Sequence, residues 1–190
     1  MPRAGLDPAS VVASAAALAD ETGFSGLTMG LVADRLGVRT PSLYKHVGGQ
    51  ADLAHRIATL AMVELADAIR EAIGGRSGRD ALEAMARAVR DYVLKHPGRY
   101  AATIGESATG PADPLALAGE RGIGSMAAVL HGYRIAPDEM NHALRTLRSL
   151  LHGFATLQAA NGFQWDADAD ESFDWLIEFT HRGLSRMAAD

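Results

Sequence analysis

The chain is predicted to be all-α: a small N-terminal three-helix domain carrying a helix-turn-helix, followed by a larger helical domain. Three observations predict this. Apolar residues recur at i, i+3, i+4 and i+7 in every long segment, and no stretch shows the strict alternation of a half-buried strand. Glycine- and proline-containing breaks separate those segments. Between residues 28 and 47 two very short periodic segments are joined by a single glycine, the spacing of a helix-turn-helix.

Asp7-Pro8 opens the first helix, with Val11, Ala15 and Leu18 on its inner face, and Thr22-Gly23 closes it. Residues 1 to 6 read as a short arm whose Arg3 could reach a phosphate. Phe24 and Leu27 are placed to pack beneath the next two helices. Thr28 reads as the N-cap of the second helix, and Leu27 can staple onto Val32. Met29, Val32, Ala33 and Leu36 form its apolar stripe, and Gly37 ends it, because a sharp exit needs the left-handed backbone glycine adopts cheaply. Thr40-Pro41 starts the third helix, with Thr40 as its expected cap and Leu43 and Val47 facing inward. Its outward face carries Thr40, Pro41, Ser42, Tyr44, Lys45 and His46, with Arg39 just ahead. Hydroxyls, a phenol and cations are the groups that read base edges and hold phosphates, and no acidic residue occurs between Arg35 and His46.

A fourth helix is expected from Gln50 to Ile73, with Leu53, Ile57 and Leu60 on its stripe, to support a head of 47 residues that is too small to be comfortable alone. After the loop Gly74–Arg79 come a helix from Asp80 to Lys95, a break at His96-Pro97-Gly98, and a short helix from Arg99 to Gly105. A helix from Pro114 to Tyr133 contains Gly119, Gly122 and Gly124, which predict a kink or local looseness at about 1 kcal/mol each relative to alanine. Pro137 to Asn161 forms the next helix, with Met140, Leu144, Leu147, Leu150, Leu151, Phe154 and Leu157 in one arc and Ser149, Gly153, Thr156 and Ala160 opposite. The last helix, Asp170 to Ala188 with Asp170 as cap, spreads apolar residues including Trp175 and Phe179 over about 200°, twice what a one-sided surface helix needs. The surplus leaves two readings: both helices are central in a monomer, or the extra face pairs with a second copy in a homodimer, with Ser149, Gly153, Thr156, Trp175 and Phe179 at the interface.

Composition sets the outer bounds. The chain has 190 residues, 48% of them hydrophobic, net charge −5 and no cysteine, so no disulfide framework or thiolate metal site is expected and the cytoplasm is the default compartment. No apolar run approaches the ~20 residues of a membrane span. The acidic total argues against a nucleic-acid partner, but the charges are uneven: residues 1 to 50 balance Arg3, Arg35, Arg39 and Lys45 against Asp7, Asp20, Glu21 and Asp34. No phosphate-binding glycine loop, nucleophile elbow or zincin motif occurs, and no two of the seven histidines stand at i, i+4, so neither catalysis, a cofactor nor a metal is expected. Asp166-x-Asp168-x-Asp170 lacks the central glycine and closing glutamate of a calcium loop and reads as a solvated linker.

The run LTMGLVADRLGVRTPSLYKHV, followed by a polar turn and a long helix, closely resembles the N-terminal domain of the TetR family of transcriptional regulators. The matching residues are Leu27-Thr28, Ala33, Leu36-Gly37-Val38, Pro41-Ser42-Leu43-Tyr44 and His46. The resemblance implies a DNA-binding domain at 1–47 and an effector-binding and dimerisation domain at 48–190. It implies DNA contacts from Thr28, Arg39, Thr40, Pro41, Ser42, Tyr44, Lys45, His46 and Gln50. The last of these stands where the family usually has lysine and keeps only a neutral donor. It further implies a ligand-responsive repressor that binds a palindromic double-stranded DNA operator as a homodimer. The effector would be a largely apolar small molecule, with Met62, Met85, Tyr92, Tyr100, Met126, Leu130 and Phe154 as candidate contacts. Leu150-Leu151-His152-Gly153-Phe154 also resembles the Trp-His-Gly motif of one subclass, with leucine in place of the tryptophan. The competing expectation is a helical ligand- or partner-binding dimer whose DNA-binding head is vestigial.

Overall fold

The computed structural model describes residues 6–187; Arg3, and with it most of the expected N-terminal arm, lies outside them. Helices are α1 (Pro8–Thr22), α2 (Met29–Leu36), α3 (Thr40–Leu43), α4 (Gln50–Ile73), α5 (Gly78–Lys95), α6 (Pro97–Gly105), α7 (Pro114–His131), α8 (Met140–Ala159) and α9 (Ala169–Arg186), with a single 3₁₀ turn at Phe24–Gly26. There is no strand among the described residues. None of the helices there is long and apolar enough to cross a membrane.

The chain folds as two compact units. The first extends to Val63 and adds His96–Ala116; the second comprises Glu64–Lys95 and the residues from Leu117 onward. The head is therefore more than the three N-terminal helices, because the first half of α4 and all of α6 share its core. Val11, Ala15, Val32, Leu43, Leu53, Ile57 and Ala102 are all buried in one apolar cluster. Leu53 and Ile57, four residues apart on α4, supply the area that so small a domain would otherwise lack.

In this unit α1 and α6 approach closely. A Cβ built on Gly98 would lie 2.0 Å from the carbonyl oxygen of Ala19, so only glycine lets the two backbones meet there. Asp20 at the end of α1 fastens the start of α6. Its carboxylate accepts from the backbone N–H of Arg99 at 2.8 Å, lies 3.0 Å from His96 Nδ1, and pairs with the Arg99 guanidinium at 3.0 Å.

In the second unit α5 packs on both α8 and α9. Arg90, buried on α5, donates to Gln158 of α8 at 2.7 Å and to Asp170 of α9. Its guanidinium stacks 4.7 Å from the ring centre of Phe173, itself fully buried. One side chain thus ties three helices.

Several element ends differ from expectation. Arg39, not Thr40, occupies the N-cap of α3, and Thr40 is its first helical residue; no side-chain cap bond forms. Asp168, not Asp170, caps α9: its Oδ1 accepts from the N–H groups of Asp170 and Glu171 at 2.8 and 2.9 Å, which frees Asp170 for Arg90. α8 starts at Met140 rather than Pro137 because Pro137 to Glu139 form a turn first. α7 runs unbroken through Gly119, Gly122 and Gly124; the Cβ that Gly122 lacks would make only ordinary contact with Ala66.

Candidate nucleic-acid interface

The site is built from the plug outward. α2 begins at Thr28, whose hydroxyl accepts from the N–H of Leu31 at 3.3 Å, and ends at Gly37 with φ 66° and ψ 32°, the left-handed cap its sequence predicts. The Gly37 and Val38 N–H groups close back onto Asp34 and Ala33 at 3.1 and 3.0 Å, which turns the chain sharply into α3. α3 is short. Beyond Leu43 the coil continues as a turn in which the N–H groups of His46 and Val47 both donate to the Leu43 carbonyl, at 2.8 and 3.0 Å. Leu43 is fully buried and Val47 nearly so, which pins the orientation of this coil.

Side chains opposite that plug face solvent. Tyr44 is 58% exposed, unusual for a ring in a well-packed head, and Arg39, Pro41, Lys45 and Thr28 are exposed as well. Thr40, Ser42 and His46 are half-buried at the edges. All eight residues, at α3 and the start of α2, thus keep solvent-accessible surface. Arg35, close by, donates from both terminal guanidinium nitrogens to Glu21, at 2.6 and 2.8 Å, and that hydrogen bonding holds the Glu21 carboxyl below its usual range. Arg35 is thereby neutralised, and among the described residues Arg39 and Lys45 enter no ion pair.

Gln50 is placed differently. Its side-chain N–H donates to the Leu27 carbonyl at 2.8 Å, tying the first turn of α4 to the loop before α2. Next to it, Asp52 accepts from the Gly48 N–H and from Arg56, each at 2.8 Å.

A second polar cluster stands farther along α4. His55 Nε2 lies 3.0 Å from Asp113, which also accepts from the N–H groups of Thr109 and Leu115 at 2.8 and 2.9 Å. Those backbone bonds hold the Asp113 carboxyl well below the usual carboxylate range. Nothing in the sequence singled out this knot, since its members are 58 residues apart.

Of the expected effector contacts, Met62 and Tyr100 belong to the first unit, where Tyr100 is buried and Met62 packs against the apolar cluster. Met85, Tyr92, Met126, Leu130 and Phe154 belong to the second. Met85 and Leu130 are fully buried; Tyr92 donates to Glu64 at 2.8 Å; Phe154 packs on Phe163 and Phe173, with ring centres 4.9 and 5.0 Å away. On α8 Ser149 is exposed and Gly153 and Thr156 are half-buried. On α9 Trp175 and Phe179 are exposed and stack on each other at 5.3 Å. With Leu150, Phe154, Phe163 and Trp165 they line an open groove of about 430 Å³.

A family model described as bacterial regulatory proteins, tetR family, matches residues 11–57, and one described as tetracyclin repressor-like, C-terminal domain, matches residues 82–180. The chain belongs to the TetR family of transcriptional regulators. It is similar over its whole length to the HTH-type transcriptional regulator YobS of Bacillus subtilis, 30% identical over 187 residues, covering 96% of this chain and 95% of that one. Its fold is shared with BioQ bound to its double-stranded DNA operator (21% identity, TM-score 0.70, 95% and 99% of the two chains). It is shared too with a TetR variant from Acinetobacter baumannii in complex with minocycline (23% identity, TM-score 0.73, 98% and 100%). As a TetR-family regulator this protein is a DNA-binding protein, and the matched segment 11–57 contains α2 and α3.

Proposed function

We propose that this TetR-family regulator is a cytoplasmic, ligand-responsive repressor that acts as a homodimer on a roughly palindromic operator and carries out no catalytic step of its own. Residues 1–47 read the DNA, and residues 48–190 take up the effector and pair the subunits. The observation that carries the reading is the exposure of Arg39, Tyr44 and Lys45 around a fully buried Leu43. A coil plugged on one side and polar on the other presents its tips to a major groove, with Pro41 and Ser42 leading and Thr28 and Thr40 beside the backbone. The two half-sites then lie about 34 Å apart or a multiple of that.

An effector that prefers the arrangement with the helices splayed lowers operator affinity by linkage, and α4, which starts in the head, carries the change. Coupling of ~1–3 kcal/mol gives 5–150-fold release. A largely apolar ligand suits the aromatic and thioether side chains of that domain.

Fluorescence anisotropy with labelled DNA from upstream of the protein's own gene tests this. Binding that exceeds random DNA, survives moderate salt and disappears in Tyr44→Ala is the expected result. The inward bond of Gln50 favours one competing reading, a vestigial head on a ligand-binding dimer, and equal affinity for random and upstream DNA is the result that would establish it.

A further inference from the structure

We infer that α9 carries its own pairing code: two copies of this chain join with their α9 helices antiparallel, Glu171 of each meeting Arg182 and Arg186 of the other. The inference rests on the homodimer reading above and adds to it the direction and selectivity of pairing.

At 100° per residue Glu171, Trp175, Phe179, Arg182 and Arg186 fall within about 80° of arc on α9. They stand opposite the buried row Phe173, Ile177, Thr180 and Leu184. All five are exposed. The stripe is therefore acidic at its N-terminal end, aromatic in the middle and basic at its C-terminal end. Trp175 and Phe179 are 68% and 56% exposed, too much aromatic area to leave in water on two adjacent turns. They are the part of the stripe that needs covering.

Charge chooses what covers it. Neighbouring acids are engaged within the subunit, Asp170 with Arg90 and Asp174 with Arg87, whereas Glu171 enters no described ion pair. Arg182 bonds Glu178 on its own helix at 2.6 Å yet keeps 72% of its side chain exposed. A two-fold axis along the helices would set Glu171 against Glu171 and the arginines against one another. An axis across them sets each acidic end against a basic end and opposes the helix dipoles favourably. In that register the stacked rings of the two copies meet near the axis, and Glu171 lies between the partner copy's two arginines. Like charges facing each other suppress wrong pairings, so the same stripe selects self over chains lacking the pattern.

The test uses the full-length protein in sedimentation equilibrium and native mass spectrometry. Wild type is expected to dimerise, and Trp175→Asp to dissociate it. Glu171→Lys and, separately, Arg182→Glu/Arg186→Glu are each expected to raise the dimer Kd roughly tenfold, because every exposed pair is lost twice across the axis. Mixing the Glu171→Lys protein with the Arg182→Glu/Arg186→Glu protein should give heterodimer well above the statistical share of about half. A wild type that stays monomeric at micromolar concentration overturns the dimer reading and the code with it. A wild-type dimer that neither charge reversal weakens, with statistical mixing of the variants, overturns the code alone.

Discussion

Replacing Gly98 by alanine should destabilise the head, although alanine is the better helix former by up to about 1 kcal/mol. The added Cβ would lie 2.0 Å from the Ala19 carbonyl oxygen, 2.2 Å from its carbon and 2.6 Å from the Asp20 nitrogen. All three are backbone atoms in the last turns of α1, so no side chain can swing away. Relief needs α6 to lift by more than 1 Å, which strains packing by about 1–3 kcal/mol or more. The same movement pulls His96 and Arg99 off Asp20, at about 1 kcal/mol for each bond weakened. The sum, roughly 3–5 kcal/mol, is a large part of the ~5–15 kcal/mol that holds a domain folded. For a chain of this size it corresponds to a melting-temperature drop of about 6–20 °C. Gly119→Ala is the matched control: its Cβ would meet nothing within 4 Å, so it should leave stability unchanged or raise it by up to about 1 kcal/mol. Scanning calorimetry of the two variants beside wild type decides the matter. A Gly98→Ala protein that melts at or above wild type would show that the α1–α6 contact is not the tight joint described.

Leu43→Ala should cost about 2–5 kcal/mol in urea unfolding, because the side chain is fully buried and its removal leaves a cavity, and it should abolish operator binding by loosening the coil that bears Tyr44. Tyr44→Ala, by contrast, should leave the melting temperature within a degree or two while removing DNA binding, since the ring is exposed. Asp113 contributes a pH dependence: its folded-state pKa is depressed, so the stability it supplies is present above the ordinary aspartate value near 4 and is lost as pH falls below it. Asp113→Asn should flatten the acid limb of a stability-versus-pH curve between about pH 4 and pH 2. Arg90→Ala should lower stability by roughly 2–3 kcal/mol through lost packing on Phe173 and the lost bond to Gln158, measured by urea unfolding at neutral pH.

Much of this architecture was legible in the residues. Local rules suffice for Asp7 capping α1, Thr28 capping α2 and Gly37 turning the chain, since each involves groups within four positions of one another. The 3.6-residue period located the long helices for the same reason, and it gave α9 a surplus apolar arc that Trp175 and Phe179 indeed expose. Other features escaped. The membership of α6 in the head depends on Gly98 meeting Ala19 and on Asp20 meeting Arg99, contacts across 79 positions that leave no periodic trace. The cap of α9 was displaced by two residues because Asp168 and Asp170 are both cap-competent and tertiary demand decided between them: Arg90 claims Asp170, so Asp168 caps; α3 starts one residue earlier than expected, with no side-chain cap bond. The direction of Gln50 was hidden likewise, an amide being equally able to face a phosphate or a carbonyl.

That α6 seals the side of α1 has a bearing on how the protein is made. A ribosome working from the N-terminus releases α1 to α3 early, but their missing wall is encoded about ninety codons after the first residue of α1. The nascent head stays unfinished until residues 96–116 emerge, by which time α4 and α5 are already outside the tunnel. A transcript cut short before that point yields no competent gripper of DNA, so incomplete products would not occupy the operator in place of the finished regulator.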